Sequence, residues 1–523
     1  MAEFRVAAVF SNNMVLQREK NVRIFGEGQD GETVTVSFRG MEASATVKDG
    51  RWTVVLPPMT ASDGDVMTVV AESGSKTFYN VAVGEVWLAG GQSNMEFELQ
   101  NCTGGKEVLA NDQNTRVRFY YTQKNAYKNE HFYEAERNSG WSEFGEESAR
   151  AWSAVGYFFA KRIAAETGVI VGVIGCNWGG TSASAWMDKE TLLEDVELRT
   201  YVDEYNKAIE GQSEEQQIKE YKEYEEYDAA WNQRAALCYA ENPTMSWSEV
   251  QERCGVNQWP GPMCCINPFR PAGLYECMLQ RVMPYTLRGF IYYQGESDDH
   301  KPQMYAKLLA RMIERWREDW EDDTLPFLMV QLPMHRYEAD PDFKHWCRIR
   351  EAQMKVFRTV KNTGIAVILD CGEFNEIHPK DKVPVGERLA LQALWTVYHK
   401  LEEKNAFGPI FRSLVIEGEK ACVSFDYVEE GFEIRGDGSG FELAGEDGVY
   451  VPATVHTGEA ANVLYVSAAQ VEKPKFVRYC WTNYGPVNYF GKNGIPLAPF
   501  RSSRNDEQEA TETKVEIRQV MEL

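Results

Sequence analysis

Short apolar strands alternate with amphipathic helices through the middle of this chain, and this alternation constrains the fold more than any other sequence feature. Between Val81 and Lys400 the strand candidates are EVWLAG, GVIVGVIG, GFIYYQ, LPFLMVQL and GIAVILD. The stretches between them include SAVGYFFAKRIAAE and QMYAKLLARMIERWRE, which have the apolar spacing of helices. Continuously apolar strands are buried on both faces, so the pattern predicts an α/β unit with a parallel sheet covered by helices.

Shorter alternating runs separated by Gly, Asp and Asn flank this unit on both sides. A chain of 523 residues exceeds a single hydrophobic core, so several domains are expected. The patterns predict an N-terminal all-β domain over residues 1–83 and a C-terminal all-β domain over 403–501, both of β-sandwich type. The α/β catalytic domain is assigned to 84–402, with a charged helical insertion near 192–241, and 502–523 is a polar tail.

Composition excludes several classes of function. The formal charge of −24 opposes nucleic-acid binding, which needs clustered Lys and Arg. No apolar run is long enough to span a bilayer, and nothing at the start resembles a secretion signal, so we expect a cytoplasmic location without membrane contact. The 11 cysteines show no CxxC spacing, which indicates reduced structural thiols rather than a metal site.

The segment GEVWLAGGQSNMEFEL places Ser93 between an apolar strand and the expected start of a helix. There its hydroxyl lies at the carboxyl edge of a parallel sheet, beside backbone N–H groups that are free to hold an oxyanion. The segment is not a GxSxG nucleophile elbow, because Met95 occupies the last glycine position. Taken alone, such a serine is more often an N-cap than a nucleophile.

Three further strand ends carry polar residues in the same way. CNWGGTSASAW follows one strand, and its glycines allow a backbone amide to approach closely, as an oxyanion donor must. Gln294 and Glu296 follow the strand GFIYY, and His378 follows GIAVILD beside acidic residues. A serine, amide donors and a histidine at one sheet edge are the components that acyl transfer requires.

These segments, together with MVLQR, GRW, YYQGES, IREAQ, IHPKDKVPVGERLAL, VRYCW and GIPLAPFR, resemble the sialate O-acetylesterase-type branch of the SGNH hydrolase superfamily. The resemblance extends over nearly the whole chain. It implies an SGNH-hydrolase-like, flavodoxin-like α/β fold that needs no metal or other cofactor. It also implies a sugar acetyl ester as substrate, either a small molecule or an oligosaccharide.

The resemblance assigns roles to the matching residues. Ser93 is the nucleophile, and His378 is the base that takes its proton and returns it to the leaving sugar hydroxyl. The implied oxyanion donors are the backbone amides of Ser93 and Gly180 and the side-chain amide of Gln294. Residues near these blocks that are expected to contact substrate are Gln92, Asn94, Trp178 and Glu296.

The acid that would complete a catalytic triad with Ser93 and His378 is less well defined. Many SGNH hydrolases have Asp three residues before the histidine, but Asn375 stands there and carries no charge to stabilise an imidazolium. We rank Glu376 first as the acid, with Asp370 and Glu296 as further candidates. A Ser–His dyad oriented by a backbone carbonyl is the remaining alternative.

The expected function is hydrolysis of an acetyl ester on a sugar, with 9-O-acetylated sialic acid favoured by the family resemblance. The alternatives are acetylated xylan-derived or xyloglucan-derived oligosaccharides, or a non-catalytic glycan-binding protein. Arg270 and Arg348 are interpreted as structural ion pairs, and His335 and His345 as surface loop residues. Whether the chain forms a homo-oligomer is left open.

Overall fold

The computed structural model describes residues 4–129, 132–242 and 245–502, and these form two compact units. Within the described residues, the first unit contains 4–122, 139–180 and 282–502, and the second contains 123–129, 132–138, 181–242 and 245–281. The predicted site residues all belong to the first unit.

Eight strands form the N-terminal β region of the first unit. They are β1 (Arg5–Val6), β2 (Val15–Gln17), β3 (Val22–Glu27), β4 (Thr33–Phe38), β5 (Met41–Thr46), β6 (Arg51–Leu56), β7 (Ser62–Ala71) and β8 (Gly74–Gly91). Strand β8 is 18 residues long and pairs with β7 and β2 through its first half. The domain boundary predicted after Val83 therefore falls inside a continuous strand, and the N-terminal strands share a sheet with the α/β part.

The second half of β8 lies at the centre of the α/β sheet. The other strands of that sheet are β9 (Val117–Tyr121), β10 (Trp141–Glu143), β11 (Val171–Asn177), β12 (Gly289–Tyr293), β13 (Phe327–Gln331) and β14 (Thr363–Val367). The order is β10-β9-β11-β8-β12-β13-β14, and every neighbouring pair is parallel except β10 with β9. The predicted α/β architecture is confirmed, but the sheet is mixed rather than purely parallel.

Both units contain α-helices. They are α1 (Ser93–Glu96), α2 (Gly105–Asn111), α3 (Phe132–Glu136), α4 (Ala154–Thr167), α5 (Lys189–Glu194), α6 (Arg199–Ala208), α7 (Glu214–Glu241), α8 (Trp247–Cys254), α9 (Gln280–Val282), α10 (Pro302–Trp320), α11 (His345–Thr359), α12 (Val383–Thr396) and α13 (Glu403–Ala406). Shorter turns are 3-10 helical at Leu99–Asn101, Ala183–Trp186, Glu296–Asp298 and Leu369–Cys371, and π-helical at Tyr275–Leu279.

Local sequence explains the limits of α4, which packs with α12. The Ser153 side chain accepts a hydrogen bond from the Gly156 N–H at 3.0 Å and so caps the first turn. Gly168 ends the helix with a φ of 75°, a left-handed conformation that glycine adopts at little cost.

The C-terminal β region consists of three small sheets of the first unit. Their strands are β15 (Ile410–Glu417), β16 (Lys420–Asp426), β17 (Phe432–Ile434), β18 (Phe441–Ala444), β19 (Val451–Pro452), β20 (Thr454–Thr457), β21 (Val463–Ser467), β22 (Phe476–Tyr479), β23 (Tyr489–Gly491) and β24 (Phe500–Arg501). The β-sandwich descriptions of both flanking regions stay predictions. The predicted polar tail lies outside the described residues apart from Ser502.

The second unit contains α3, α5, α6, α7 and α8. Helix α7 spans 28 residues and begins at a Ser213 cap. The insertion predicted near 192–241 lies within this unit, which also includes residues to 281 and the segment around α3. Within the described part of the chain, we find no helix that has both the length and the apolar character to cross a membrane.

Candidate active site

Four chain segments converge at the carboxyl ends of β8, β11, β12 and β14. Gly91, at the end of β8, pairs in register with Asn177 on one side and Tyr293 on the other. A Cβ at Gly91 would lie 2.1 Å from the Tyr293 carbonyl oxygen, and its φ is 134°, so only glycine fits there. This close approach lets the chain turn directly into α1, where Ser93 is the first residue.

Ser93 and His378 lie in direct contact. The His378 Nε2 atom is 2.8 Å from the Ser93 Oγ atom, which is hydrogen-bonding distance. His378 comes from the loop between β14 and α12, so the pair joins two separate strand ends. In this geometry the serine hydroxyl can pass its proton to the histidine imidazole, which is typical of an activated serine nucleophile.

Glu376 lies on the other side of the His378 ring. Its Oε1 atom accepts a hydrogen bond from the His378 backbone N–H at 2.9 Å and lies 3.7 Å from His378 Nδ1. Burial lowers the pKa of His378 below 6.5, and the nearby Glu376 carboxylate partly opposes that shift. The imidazole is therefore neutral near pH 7 and able to accept a proton.

The other candidate acids are engaged elsewhere. The Asp370 carboxylate forms a two-pronged ion pair with Arg388, with distances of 2.6 and 2.8 Å. The Glu296 carboxylate accepts from Asn94 Nδ2 at 2.6 Å. Asn375, which carries no charge, accepts from the Glu338 backbone N–H at 3.2 Å. Glu376 is thus the candidate whose carboxylate lies beside the histidine ring, and its role as the triad acid stays a prediction.

Backbone amides lie next to Ser93 on the β11 side. A Cβ built on Gly179 would be 3.1 Å from the Ser93 Cβ, so this loop passes directly against the serine. Gly180 follows with a φ of 76°. Within residues 4–129, 132–242 and 245–502, we find no hydrogen bond from the N–H of Ser93 or of Gly180. The role of these two amides as oxyanion donors stays a prediction.

Gln294 makes different contacts from those expected of an oxyanion donor. Its Nε2 donates to Asp298 Oδ2 at 2.6 Å, and its Oε1 accepts from the Tyr305 hydroxyl at 2.9 Å. The Gln353 side chain donates to the backbone carbonyl oxygen of Gln294 at 3.1 Å. These contacts hold the loop after β12 in place, and the oxyanion role of Gln294 stays a prediction.

Three of the residues expected to contact substrate lie in the protein interior. Gln92, Asn94 and Glu296 are at most 5% exposed. The Gln92 side chain accepts from the Ser297 N–H at 3.2 Å, and Asn94 Nδ2 donates to Glu296 Oε1 at 2.6 Å. Each therefore links the serine turn to the loop after β12 rather than facing a substrate. Trp178 is half-buried, and its predicted substrate contact stays a prediction.

Lys382 is a site residue that the sequence analysis missed. It is fully buried, and its Nζ donates to Asn94 Oδ1 at 2.5 Å. The ammonium lies over the rings of Phe97 at 4.9 Å and Tyr293 at 5.5 Å, which is cation–π distance. Burial lowers the pKa of Lys382 to about 8, although Glu296 opposes the shift. A lysine in the polar segment HPKDKVP is expected to be exposed to solvent, so nothing in the local sequence predicts that Lys382 is buried.

The prediction that His335 lies on the surface is wrong. Its side chain is buried between Tyr337 and Trp346, and Nδ1 lies 3.2 Å from the Glu376 carbonyl oxygen. Burial lowers its pKa to about 4. Aromatic packing therefore covers the back of the loop that carries Glu376. Arg270, by contrast, forms the structural ion pair that was expected, with Glu276 at 2.8 Å.

Comparison with known proteins shows similarity to carbohydrate acetylesterases. A family model described as carbohydrate esterase, sialic acid-specific acetylesterase matches residues 264–394. The sialate O-acetylesterase of Mus musculus is 26% identical over 93% of this chain and 91% of its own length, and that of Homo sapiens is 24% identical over 95% and 92%. A crystal structure of a carbohydrate acetylesterase from Xanthomonas citri is similar with a TM-score of 0.75 and 28% identity, covering 95% of this chain and 99% of that one.

Proposed function

We propose that this chain, a carbohydrate O-acetylesterase of the sialate O-acetylesterase type, cleaves its substrate by serine acyl transfer with Ser93 as nucleophile and His378 as general base. The observation that carries the proposal is the 2.8 Å contact between His378 Nε2 and Ser93 Oγ. The four strand-end segments around it support an SGNH-hydrolase-like assignment, because they supply a serine, a glycine amide, a side-chain amide and a histidine in that order along the chain.

The reaction has two steps. Ser93 Oγ attacks the acetyl carbonyl while His378 takes its proton, and the amides of Ser93 and Gly180 hold the negative charge that develops on the carbonyl oxygen. His378 then gives the proton to the departing sugar oxygen, leaving an acetyl group on Ser93. Water, deprotonated by His378, attacks this ester and releases acetate. Glu376 stabilises the imidazolium that forms in both steps.

The substrate is an acetylated sugar, and two classes compete. The relatives named sialate O-acetylesterase favour an acetylated sialic acid. The large acidic charge of the chain favours a neutral acetylated oligosaccharide, such as one derived from xylan or xyloglucan. Acetate release from 9-O-acetylated sialic acid and from acetylated xylo-oligosaccharides, measured in parallel, decides between them.

The catalytic proposal is tested with Ser93→Ala and a small activated ester. We expect Ser93→Ala to lower the kcat for 4-nitrophenyl acetate by at least about 10⁴-fold, as loss of a serine nucleophile does elsewhere. The exposed Ser148 provides the matched control, and Ser148→Ala should hydrolyse the ester normally. A fluorophosphonate probe should label the wild-type protein at Ser93. Normal turnover by Ser93→Ala would discard Ser93 as the nucleophile. No labelling of folded wild-type protein would favour the glycan-binding alternative.

A further inference from the structure

A buried hydrogen-bonded group lies behind the catalytic pair and consists of Lys382, Asn94 and Glu296. Asn94 uses all of its side-chain amide: Oδ1 accepts from Lys382, and Nδ2 donates both to Glu296 and to the Ile377 carbonyl oxygen at 3.0 Å. Ile377 directly precedes His378, and Asn94 directly follows Ser93. One side chain therefore connects the backbone on either side of the reacting pair.

We propose that Lys382 is a positioning residue, which fixes Asn94 and through it the separation of Ser93 and His378. A buried ammonium loses hydration, so it remains in place only where its partners compensate. Here the Asn94 oxygen and the faces of Phe97 and Tyr293 do so. Without this donor the Asn94 amide loses one of its three hydrogen bonds, so its bond to the Ile377 carbonyl is held less firmly. The inference rests on the proposed roles of Ser93 and His378.

The charge of Lys382 has a second effect on the base. Its positive charge lowers the pKa of the His378 imidazole, in addition to the larger effect of burial. The other charged groups acting on His378 are Glu376 and Glu96, which both raise its pKa. The titratable groups that act on Lys382 itself are Glu296, Cys371, Cys102 and Glu373. Removing the ammonium should therefore make His378 easier to protonate.

The test compares Lys382→Met with Lys380→Met in the full chain. Lys380 is exposed in the same loop and serves as the matched control. For Lys382→Met we expect kcat for 4-nitrophenyl acetate to fall by about 10- to 100-fold, as a small misplacement of a reacting group does, with KM nearly unchanged. The acid limb of the kcat/KM profile should move to higher pH. Lys380→Met should match the wild type in both respects.

A second variant keeps the inference testable if Lys382→Met does not fold. Asn94→Asp retains an acceptor for Lys382 but loses the amide donors to Glu296 and Ile377, so kcat should fall while KM holds. Wild-type kcat in either folded variant would overturn the positioning role. Fluorophosphonate labelling of wild-type Ser93 separates this result from failure of the catalytic proposal, because that labelling does not depend on Lys382 variants.

A separate observation concerns an aromatic cavity of about 510 Å³ in the second unit, between α7, α8 and the segment that follows α8. Trp247 is 51% exposed and Trp259 is 57% exposed at this cavity. Each ring packs against another aromatic ring, Trp247 against Trp231 at 5.3 Å and Trp259 against Phe269 at 5.4 Å between ring centroids. These rings are therefore fixed apolar surfaces that solvent can reach.

Polar groups stand beside these rings. The Asn232 side chain donates to the Asp228 carboxylate at 2.8 Å, and the Asn257 side chain accepts from the Trp259 backbone N–H at 2.7 Å. These hydrogen bonds fix the orientation of the Asn232 and Asn257 side chains, which line the cavity. Aromatic faces with a few fixed amide and carboxylate groups suit a pyranose ring, which has apolar C–H faces and hydroxyls at its edge. Carboxylates outnumber cations along α7, which disfavours an acidic sugar.

We infer that this aromatic cavity binds a neutral glycan chain. The choice of occupant rests on the proposed function, because a carbohydrate O-acetylesterase acts on acetylated sugars. Binding of a neutral oligosaccharide should depend on Trp247 and Trp259.

The test measures binding of xylohexaose and of sialyllactose to the full-length Ser93→Ala protein by calorimetry. We expect xylohexaose to bind, and the double variant Trp247→Ala/Trp259→Ala to weaken that binding by at least about tenfold through loss of ring contacts. Leu237→Ala is the matched control, since Leu237 lies exposed on α7 but does not line the cavity.

Three results would overturn this glycan-binding site. These are absence of xylohexaose binding, unchanged binding by the double variant, and a wild-type dimer that the double variant dissociates, which would make the face a self-association surface. Binding is measured in the Ser93→Ala protein, so its loss is distinguishable from failure of the catalytic proposal, which the ester assay tests.

Discussion

His378 Nε2 lies 2.8 Å from Ser93 Oγ, although 285 positions of sequence separate the two residues. The parallel register of β8, β11 and β12 aligns Gly91 with Asn177 and Tyr293, so the segments that follow these strands begin at one level of the sheet. The loop after β14 reaches the same edge and brings His378 to the serine. Strand register thus places Ser93, the loop after β14 supplies His378, and their 2.8 Å contact permits direct proton transfer.

The first prediction concerns pH. His378 must be neutral to accept the Ser93 proton, and burial lowers its pKa below 6.5 while Glu376 opposes the shift. Activity should therefore be present above this pKa and fall as pH drops through it. We expect the acid limb of the kcat/KM profile for 4-nitrophenyl acetate to have a midpoint below 6.5. A midpoint clearly above 6.5 would show that the carboxylate, rather than burial, dominates the environment of the ring.

The strand-end residues were predictable because they depend on local patterns. Continuous apolar runs give β8, β11, β12 and β14, and the polar residue after each run lies at the carboxyl edge of the sheet. Ser93 and His378 became candidates because polar residues follow several strand ends in order, whereas the serine turn alone would indicate an N-cap.

The residues behind the site were not predictable in this way. Lys382 and His335 occur in polar, loop-like sequence, yet one is buried against Phe97 and Tyr293 and the other between aromatic rings. Their burial depends on packing between segments far apart in the chain, which no short window of sequence contains. For the same reason, Asn94 and Glu296 were interpreted as substrate contacts although they bind each other.

The second prediction tests the triad acid. Glu376→Gln removes the carboxylate that lies 3.7 Å from His378 Nδ1 while keeping a side chain that can accept from the His378 N–H. We expect kcat to fall by about tenfold or more, because the imidazolium formed in the transition state loses its partner charge. Asn375→Ala is the neighbouring control and should change kcat by less than about threefold, since its side chain contacts the Glu338 backbone instead. A collapse of activity in Asn375→Ala with normal Glu376→Gln would reverse this assignment.

The third prediction separates stability from catalysis at Asp370. Its two-pronged pair with the largely buried Arg388 is structural, so Asp370→Asn should lower the free energy of unfolding by about 2 kcal/mol through loss of the partner charge. Denaturant unfolding measures the change. At a temperature where the variant is folded, kcat for the small ester should match the wild type. A large loss of kcat in stably folded protein would return Asp370 to the list of catalytic acids.

The fourth prediction concerns the turn into the nucleophile. In Gly91→Ala the new Cβ would meet the Tyr293 carbonyl oxygen at 2.1 Å with a φ of 134°, so β8 and β12 cannot keep their spacing. We expect a loss of about 3 kcal/mol or more in unfolding free energy and an inactive enzyme, because Ser93 lies two residues beyond the distorted strand. Gly104→Ala is the control: its φ is 73° and no atom lies within 4 Å of the added Cβ, so it should cost only about 1 kcal/mol from backbone strain and leave kcat intact. Equal effects of the two substitutions would mean that the left-handed backbone, rather than the close approach of the two strands, sets the requirement for glycine at position 91.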